Sequence, residues 1–341
     1  MMKKKILAVL LALTTVISLG ACGNSGTNET KTTGNTQEAA GELPTLRIAL
    51  PTWVGYGPLY VAQEKGLFEK NGVNVELSIV EGLAERKQAL ISGNLEGLAT
   101  AVDVFVNLEG AGIDMDMVWM LDRSNGADGI VATSDVKTPA DLKGKTIATE
   151  VGTTEHLFLL KVLEQYGLSQ DDINLTPMTI GDAGTAFVAG KVDAAVTYDP
   201  YLAQGIEAGG TGFTTADYDI DLMDAVGFTD KVIESEPDAV QGFVDAVAEA
   251  TDYIADNKDE CVPIMAKGLK LDESDVSSTL DKLECFTLEG NLNQVGESDD
   301  QKGKLYDSVK DIAVFYKDQG LNDTEIDPAS IINPDFIRNA K

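Results

Sequence analysis

The loop Pro51–Pro58, PTWVGYGP, sets Trp53 and Tyr56 among glycines and prolines, between the apolar run TLRIAL and an amphipathic stretch. An aromatic that only fills a core sits more often on a strand or helix than in the loop between them. Aromatic faces attract cations, and carboxylates pair with amines and guanidinium groups. Acids stand at similar junctions: Asp103 after Thr100 and Ala101, Asp122 in LDRSNGADG, and Asp199 after Tyr198 in TYDPY. Thr100 to Asp103 opens a helix pattern, whose first N–H groups have no intrahelical partner. These are groups of non-covalent recognition. The chain has no Ser/His/Asp set, no phosphate-binding glycine loop and no Cys/His metal spacing, and His156 is its single histidine. No catalytic residue, cofactor or metal is expected.

The elements that must hold these residues alternate. Strands are expected at 46–50, 73–80, 97–100, 116–121, 129–133, 145–149, 173–178 and 193–197. Helices are expected at 58–70, 83–92, 102–109, 154–166, 182–189 and 200–208. Such alternation implies parallel α/β layers. Beyond about 235 the pattern turns helical, at 237–257, 259–268, 273–283, 301–319 and 334–339, with Pro237 suited to a first turn and Gly268 to a helix end. An internal repeat runs through the α/β part. ALISGNLEGLAT (89–100) aligns with AFVAGKVDAAVT (186–197) at a shift of 97. Two similar βαβαβ halves would place strand-end loops on both walls of a cleft. Trp53 and Tyr56, between a strand end and a helix start, would line it.

The N-terminus reads as targeting. MMKKK precedes an apolar run too short for a secure membrane span, which ends in Leu19-Gly20-Ala21-Cys22. This resembles a bacterial lipobox, with residues 1–21 as signal peptide and Cys22 as the lipidated first residue. Residues 22–44 then read as a flexible tether. The net charge of −30 falls to about −33 without Lys3, Lys4 and Lys5, which excludes nucleic acid and anionic membrane surfaces as natural partners. Cys261 and Cys285 either pair or stay as separate thiols.

The order of four segments resembles the solute-binding proteins of ABC importers in the nitrate, sulfonate and taurine group. They are LYVAQEKGLFEKNGVNVEL, LISGNLEGLATAVD, TPADLKGKTIATEVGTTEHLFLLKVLEQYGL and DAGTAFVAGKVDAAVTYDPYL. The tail DPASIINPDFI is similar to the family's usual end. The resemblance implies an α/β type II periplasmic-binding-protein fold with two crossings between lobes, and a helical C-terminal segment packed on lobe one. Lobe one would be 45–127 with 220–341, and lobe two 128–219. It implies a lipid-anchored, extracytoplasmic monomer that closes on a small solute and presents it to a permease with its ATPase.

Lobe one would offer Trp53, Tyr56, Thr100, Ala101, Asp103 and, from the connector, Asp122. Lobe two would offer Gly152, Thr153, Thr154 and His156 at a helix start that cradles an anionic head in related binders, as helix N-termini favour negative charge. Glu155 stands in the same turn without an evident use for an anion, and Ser124, Asn125 and Asp128 of the connector read either as ligand contacts or as turn residues. Tyr198, where the family usually has Trp, and Asp199 complete the set. Asp182 reads as a helix cap. The named loops hold seven acids, about what 56 acids in 341 residues would place there, so they are not acid-enriched. What they lack is a Lys/Arg pair for a small oxyanion; Arg123 is almost the sole cation nearby. The expected ligand is therefore a small nitrogen-containing organic solute, taurine-like or cationic. The alternatives are nitrate, bicarbonate or a pyrimidine precursor on the same fold, or a ligand-sensing surface lipoprotein.

Overall fold

The computed structural model describes residues 43–341; the signal segment, Cys22 and nearly all of the tether lie outside the described residues. Among the described residues eleven strands fall at β1 (Thr45–Leu50), β2 (Asn74–Ile79), β3 (Gly97–Ala101), β4 (Met115–Ser124), β5 (Asp128–Ala132), β6 (Thr146–Thr149), β7 (Asn174–Pro177), β8 (Ala194–Tyr198), β9 (Thr211–Thr214), β10 (Met223–Thr229) and β11 (Leu283–Cys285). The helices of the α/β part are α1 (Gly57–Glu64), α2 (Leu67–Lys70), α3 (Leu83–Ile91), α4 (Val102–Gly110), α5 (Thr154–Gln165), α6 (Ile180–Val188) and α7 (Tyr201–Glu207). The C-terminal helices are α8 (Asp230–Ser235), α9 (Pro237–Asp256), α10 (Lys258–Leu269), α11 (Glu273–Leu280), α12 (Leu288–Val295), α13 (Lys304–Asp318) and α14 (Pro334–Arg338).

The strands form two sheets, ordered β11-β4-β10-β3-β1-β2 and β7-β6-β8-β5-β9. The repeat seen in the sequence is a repeat of topology. In one sheet β1 pairs in parallel with β2 and β3; in the other β6 pairs in parallel with β7 and β8. Gly97–Ala101 and Ala194–Tyr198 are equivalent strands at the shift of 97. The helix before each ends the same way, at Gly93 (φ 71°) and Gly190 (φ 67°). Asn94 N–H donates to the Ala89 carbonyl and Lys191 N–H to the Ala186 carbonyl. This left-handed C-terminal turn needs a residue that tolerates positive φ, which glycine supplies without strain.

Neither sheet is purely parallel, contrary to the expectation from simple alternation. β10 runs antiparallel between β3 and β4, and β5 runs antiparallel between β8 and β9. Each antiparallel strand arrives from the other sheet: β5 follows β4, and β10 follows β9. The chain thus crosses twice, and each half is completed by a strand whose pairing is settled only in three dimensions.

All eight expected strands form, but β9, β10 and β11 carry too little local pattern to be read. α8 and α12 also went unread. Gly268 does not end its helix, which runs to Leu269 with Lys270 in the left-handed position. Glycine is needed there for space, because a Cβ would lie 2.3 Å from the Tyr60 ring on α1.

Candidate ligand-binding cleft

The loop after β1 turns through a short 3-10 segment, Val54–Tyr56, into α1, with Pro58 in the first helical turn. That turn points both aromatics inward: Trp53 is 3% and Tyr56 2% exposed. Their polar tips reach acids on the sheet floor. The Trp53 indole N–H donates to Asp122 at 3.2 Å, and the Tyr56 hydroxyl donates to Asp224 at 2.5 Å. Asp122 and Asp224 are partners across β4 and β10.

A pocket between the halves is lined by Trp53, Tyr56, Thr100 and Ala101 on one side and Thr153, Thr154 and Tyr198 on the other. Arg86, Asp128, Glu155 and Asp224 complete its polar lining. Its empty volume, counted with the open solvent at its mouth, is about 390 Å³. The Trp53 and Tyr198 rings meet edge to face at 5.3 Å. Seven of the twelve expected residues thus converge.

The other five sit close by in different roles. Asp122 lies behind Trp53. Asp103 is wholly buried and accepts from Thr154 Oγ1 at 2.5 Å and from the Tyr316 hydroxyl of α13 at 2.7 Å. It therefore ties the halves together instead of facing the pocket. Gly152 does not line this pocket; its carbonyl accepts from Asn107 Nδ2 at 3.1 Å. His156 points away, with Nε2 2.7 Å from Gln170 Oε1, and burial holds its pKa below the usual imidazole value. Asp199 caps α7 through the Ala203 N–H at 3.0 Å and pairs with Lys282 at 2.5 Å. Asp182 is not the cap of α6; the Thr179 hydroxyl accepts from the Asp182 N–H. Cys261 and Cys285 are separate thiols.

Two charged pocket-lining side chains escaped the sequence reading. Arg123, expected to be the nearby cation, is engaged elsewhere by Asp221 and Glu284. The cation in the pocket is Arg86, on the buried stripe Leu83, Arg86, Leu90 of α3. The i, i+3, i+7 spacing was the available signal. Asp224 lies on β10, where an acid interrupts the apolar run MDAVGF.

The electrostatics follow from burial. Asp128 is 5% and Glu155 3% exposed, and neither forms an ion pair among the described residues. Burial pushes the Asp128 carboxyl up to about 8, with Asp224 and Asp199 adding repulsion. Burial raises Asp224 to about 7 against the stabilising Tyr56 hydroxyl. Asp122 is held well above the carboxylate range by burial and then by Asp224, and Glu155 by burial and then by Asp128. Like charges in a poorly solvated space cannot all ionise without a counter-charge.

The halves touch in a closed arrangement. Besides the Asp103–Thr154 bond, Glu150 from the second half accepts the Leu83 N–H at the start of α3 at 2.7 Å. Lys282 Nζ bridges to Asp199 across the halves. Asp199 is buried and Lys282 is partly exposed, so Lys282→Met should cost about 1–2 kcal/mol by leaving the acid with a single donor. Denaturant titration measures this, and an unchanged midpoint would mean the bridge is idle. Gly55 is a second sensitive point. A Cβ there would lie 1.8 Å from Asp122 Oδ2 and 2.5 Å from Trp53 Nε1. Gly55→Ala is expected to lower stability by about 1–3 kcal/mol and to weaken solute binding by displacing Trp53; thermal melting and calorimetry read the two effects.

Two α/β halves, two chain crossings and a pocket between the halves give the arrangement of the periplasmic-binding-protein fold. The family model described as NMT1/THI5 like matches residues 53–261, and the chain belongs to that family. A Bacillus subtilis protein named for binding aliphatic sulfonates is 26% identical, covering 99% of this chain and 97% of its own. A Brucella abortus protein named only as a binding protein is 26% identical over 74% of this chain and 85% of its own. Among solved structures, the periplasmic aliphatic sulphonate binding protein SsuA from Escherichia coli superposes with a TM-score of 0.69 at 22% identity, covering 87% of this chain and 99% of SsuA. The periplasmic nitrate-binding protein NrtA from Synechocystis PCC 6803 gives 0.69 at 17% identity, covering 87% and 88%.

Proposed function

We propose that this chain is the extracytoplasmic solute-binding component of an ABC importer, anchored by lipid on Cys22, for a small organic solute with a cationic nitrogen group. Its lobes, taken as 45–127 with 220–341 and as 128–219, close on the solute and present it to the permease and ATPase. A Brachyspira hyodysenteriae relative named as an ABC transporter periplasmic binding protein supports the transport setting, at 24% identity over 93% of this chain and 92% of its own.

The observation that carries the ligand class is the pocket's charge. Asp128, Glu155 and Asp224 line it against the single cation Arg86, with Asp122 directly behind Trp53. A plain anion such as nitrate would enter beside three carboxyl groups only while they hold their protons, and it offers those buried acids no counter-charge. An ammonium, amidinium or guanidinium group supplies the missing counter-charge, and Trp53, Tyr56 and Tyr198 offer aromatic surface to it.

A melting screen tests the reading, because a ligand that binds only the folded state raises the melting temperature. The panel is nitrate, bicarbonate, ethanesulfonate, taurine, guanidinium and small amines. Stabilisation by solutes bearing a cationic nitrogen is expected. Stabilisation by inorganic anions alone would overturn it.

A further inference from the structure

Arg86 is the pocket group that a purely cationic ligand leaves unexplained. It stands on the buried face of α3 between Leu83 and Leu90, where an aliphatic residue would continue the stripe. It is 2% exposed and lines the pocket. Nη1 donates to Thr100 Oγ1 at 3.2 Å, while Nε is buried with no acceptor. Among the described residues it has no carboxylate within ion-pair distance, although acids line the same pocket and the other buried or half-buried acids nearby find donors. A buried guanidinium without an anionic partner is costly, and native proteins normally pair it. Its planar fork of donors suits a carboxylate or sulfonate.

We propose that Arg86 receives an oxyanion on the solute, so that the ligand is bipolar. Its cationic nitrogen faces Asp128 and Glu155, and its carboxylate or sulfonate faces Arg86. This rests on the cationic-solute reading and narrows it to amino or guanidino acids of the carboxylic or sulfonic kind. Thr100, accepting from Nη1, orients the guanidinium so that its remaining N–H groups stay available. A cation alone would leave Arg86 unpaired, and an anion alone would leave the carboxylates unpaired; a bipolar solute satisfies both at once.

Calorimetry on the wild-type protein, Arg86→Gln and Arg86→Lys tests this with three kinds of probe. The cation-only probes are guanidinium and ethylammonium, the anion-only probe is ethanesulfonate, and the bipolar probes are taurine, β-alanine and guanidinoacetate. At least one bipolar probe is expected to bind wild type tenfold or more better than either single-charge class. Arg86→Gln should erase that preference, and Arg86→Lys should keep part of it. Equal binding of cation-only and bipolar probes to wild type, or a preference that survives Arg86→Gln, overturns the inference while the cationic-solute reading stands. Equal binding of ethanesulfonate and bipolar probes overturns both. If no probe binds, the ligand-free melting temperature of Arg86→Met decides. A rise above wild type shows a cation held for a partner outside the protein and supports the inference; a fall shows a structural role and overturns it.

Discussion

Asp128→Asn combined with Glu155→Gln should reduce affinity for the imported solute by more than a hundredfold. Removing one partner of a buried, hydrogen-bonded charge pair costs about 2–5 kcal/mol, and each 1.4 kcal/mol is tenfold in affinity. Both carboxyl groups come from the second half, at the start of β5 and in the first turn of α5, and both face the pocket. The amides keep the shape and remove the charge. The ligand-free protein should respond in the opposite direction. Neither acid has an ion-pair partner among the described residues, so neutralising them relieves repulsion, and the double variant should melt higher than wild type near pH 8. Asp182→Asn is the control. That acid lies in the first turn of α6 and does not line the pocket. Calorimetry and melting curves on the three proteins separate the outcomes. Unchanged affinity in the double variant would remove the basis for a cationic ligand.

The ligand-free protein should lose stability as pH rises from about 5 to 8, while its affinity for the solute increases. A carboxyl that holds its proton in the folded cleft to about 8, as Asp128 does, releases it near 3.8 when the chain unfolds. Asp224, raised to about 7, behaves alike. Across that window the folded state binds more protons than the unfolded state. Stability therefore falls with rising pH, and the fall ends once the folded-state groups have ionised. Acids held low by partners, such as Asp135 near 2 beside Lys145, act at the other end. Their stabilisation is present above the ordinary carboxylate value and is lost only in stronger acid, so it does not mask the trend between 5 and 8. A cationic solute binds best to ionised carboxylates. Its stabilising shift in melting temperature should thus grow through the same range in which the ligand-free protein weakens. Melting curves at pH 5 to 8.5, with and without solute, provide the check; a ligand-free melting point that is flat or rises would contradict the buried cluster.

The two effects have one origin. The cleft gathers acids where water cannot solvate them, and the bonds between the halves close it over them. Asp103 belongs to the closing apparatus. Thr154, which donates to it, is the neighbour of Glu155 on α5. Tyr316 carries that junction to α13, in the C-terminal helical layer.

The sequence by itself determined the local architecture. Alternating apolar runs placed β1 to β8 within a residue or two, except β4, which runs to Ser124. The shift-97 repeat revealed the shared strand order of the halves, and the strand-to-helix turns located Trp53, Tyr56, Thr100, Thr153, Thr154 and Tyr198 at the cleft. Periodicity and turn chemistry are properties of neighbours in the chain, so they can be read along it. The tertiary structure decided which acids matter. Counted along the loops, they were no more frequent than chance; the count missed Asp224 on an unread strand and included Asp103, Asp122 and Asp199, which do not line the pocket. Two antiparallel crossovers, β5 and β10, brought Asp128 and Asp224 beside Glu155, and the buried face of α3 turned Arg86 toward them. Burial and proximity across distant segments convert ordinary carboxylates into a cluster that holds its protons toward neutral pH, and neither property exists until the two halves are folded against each other.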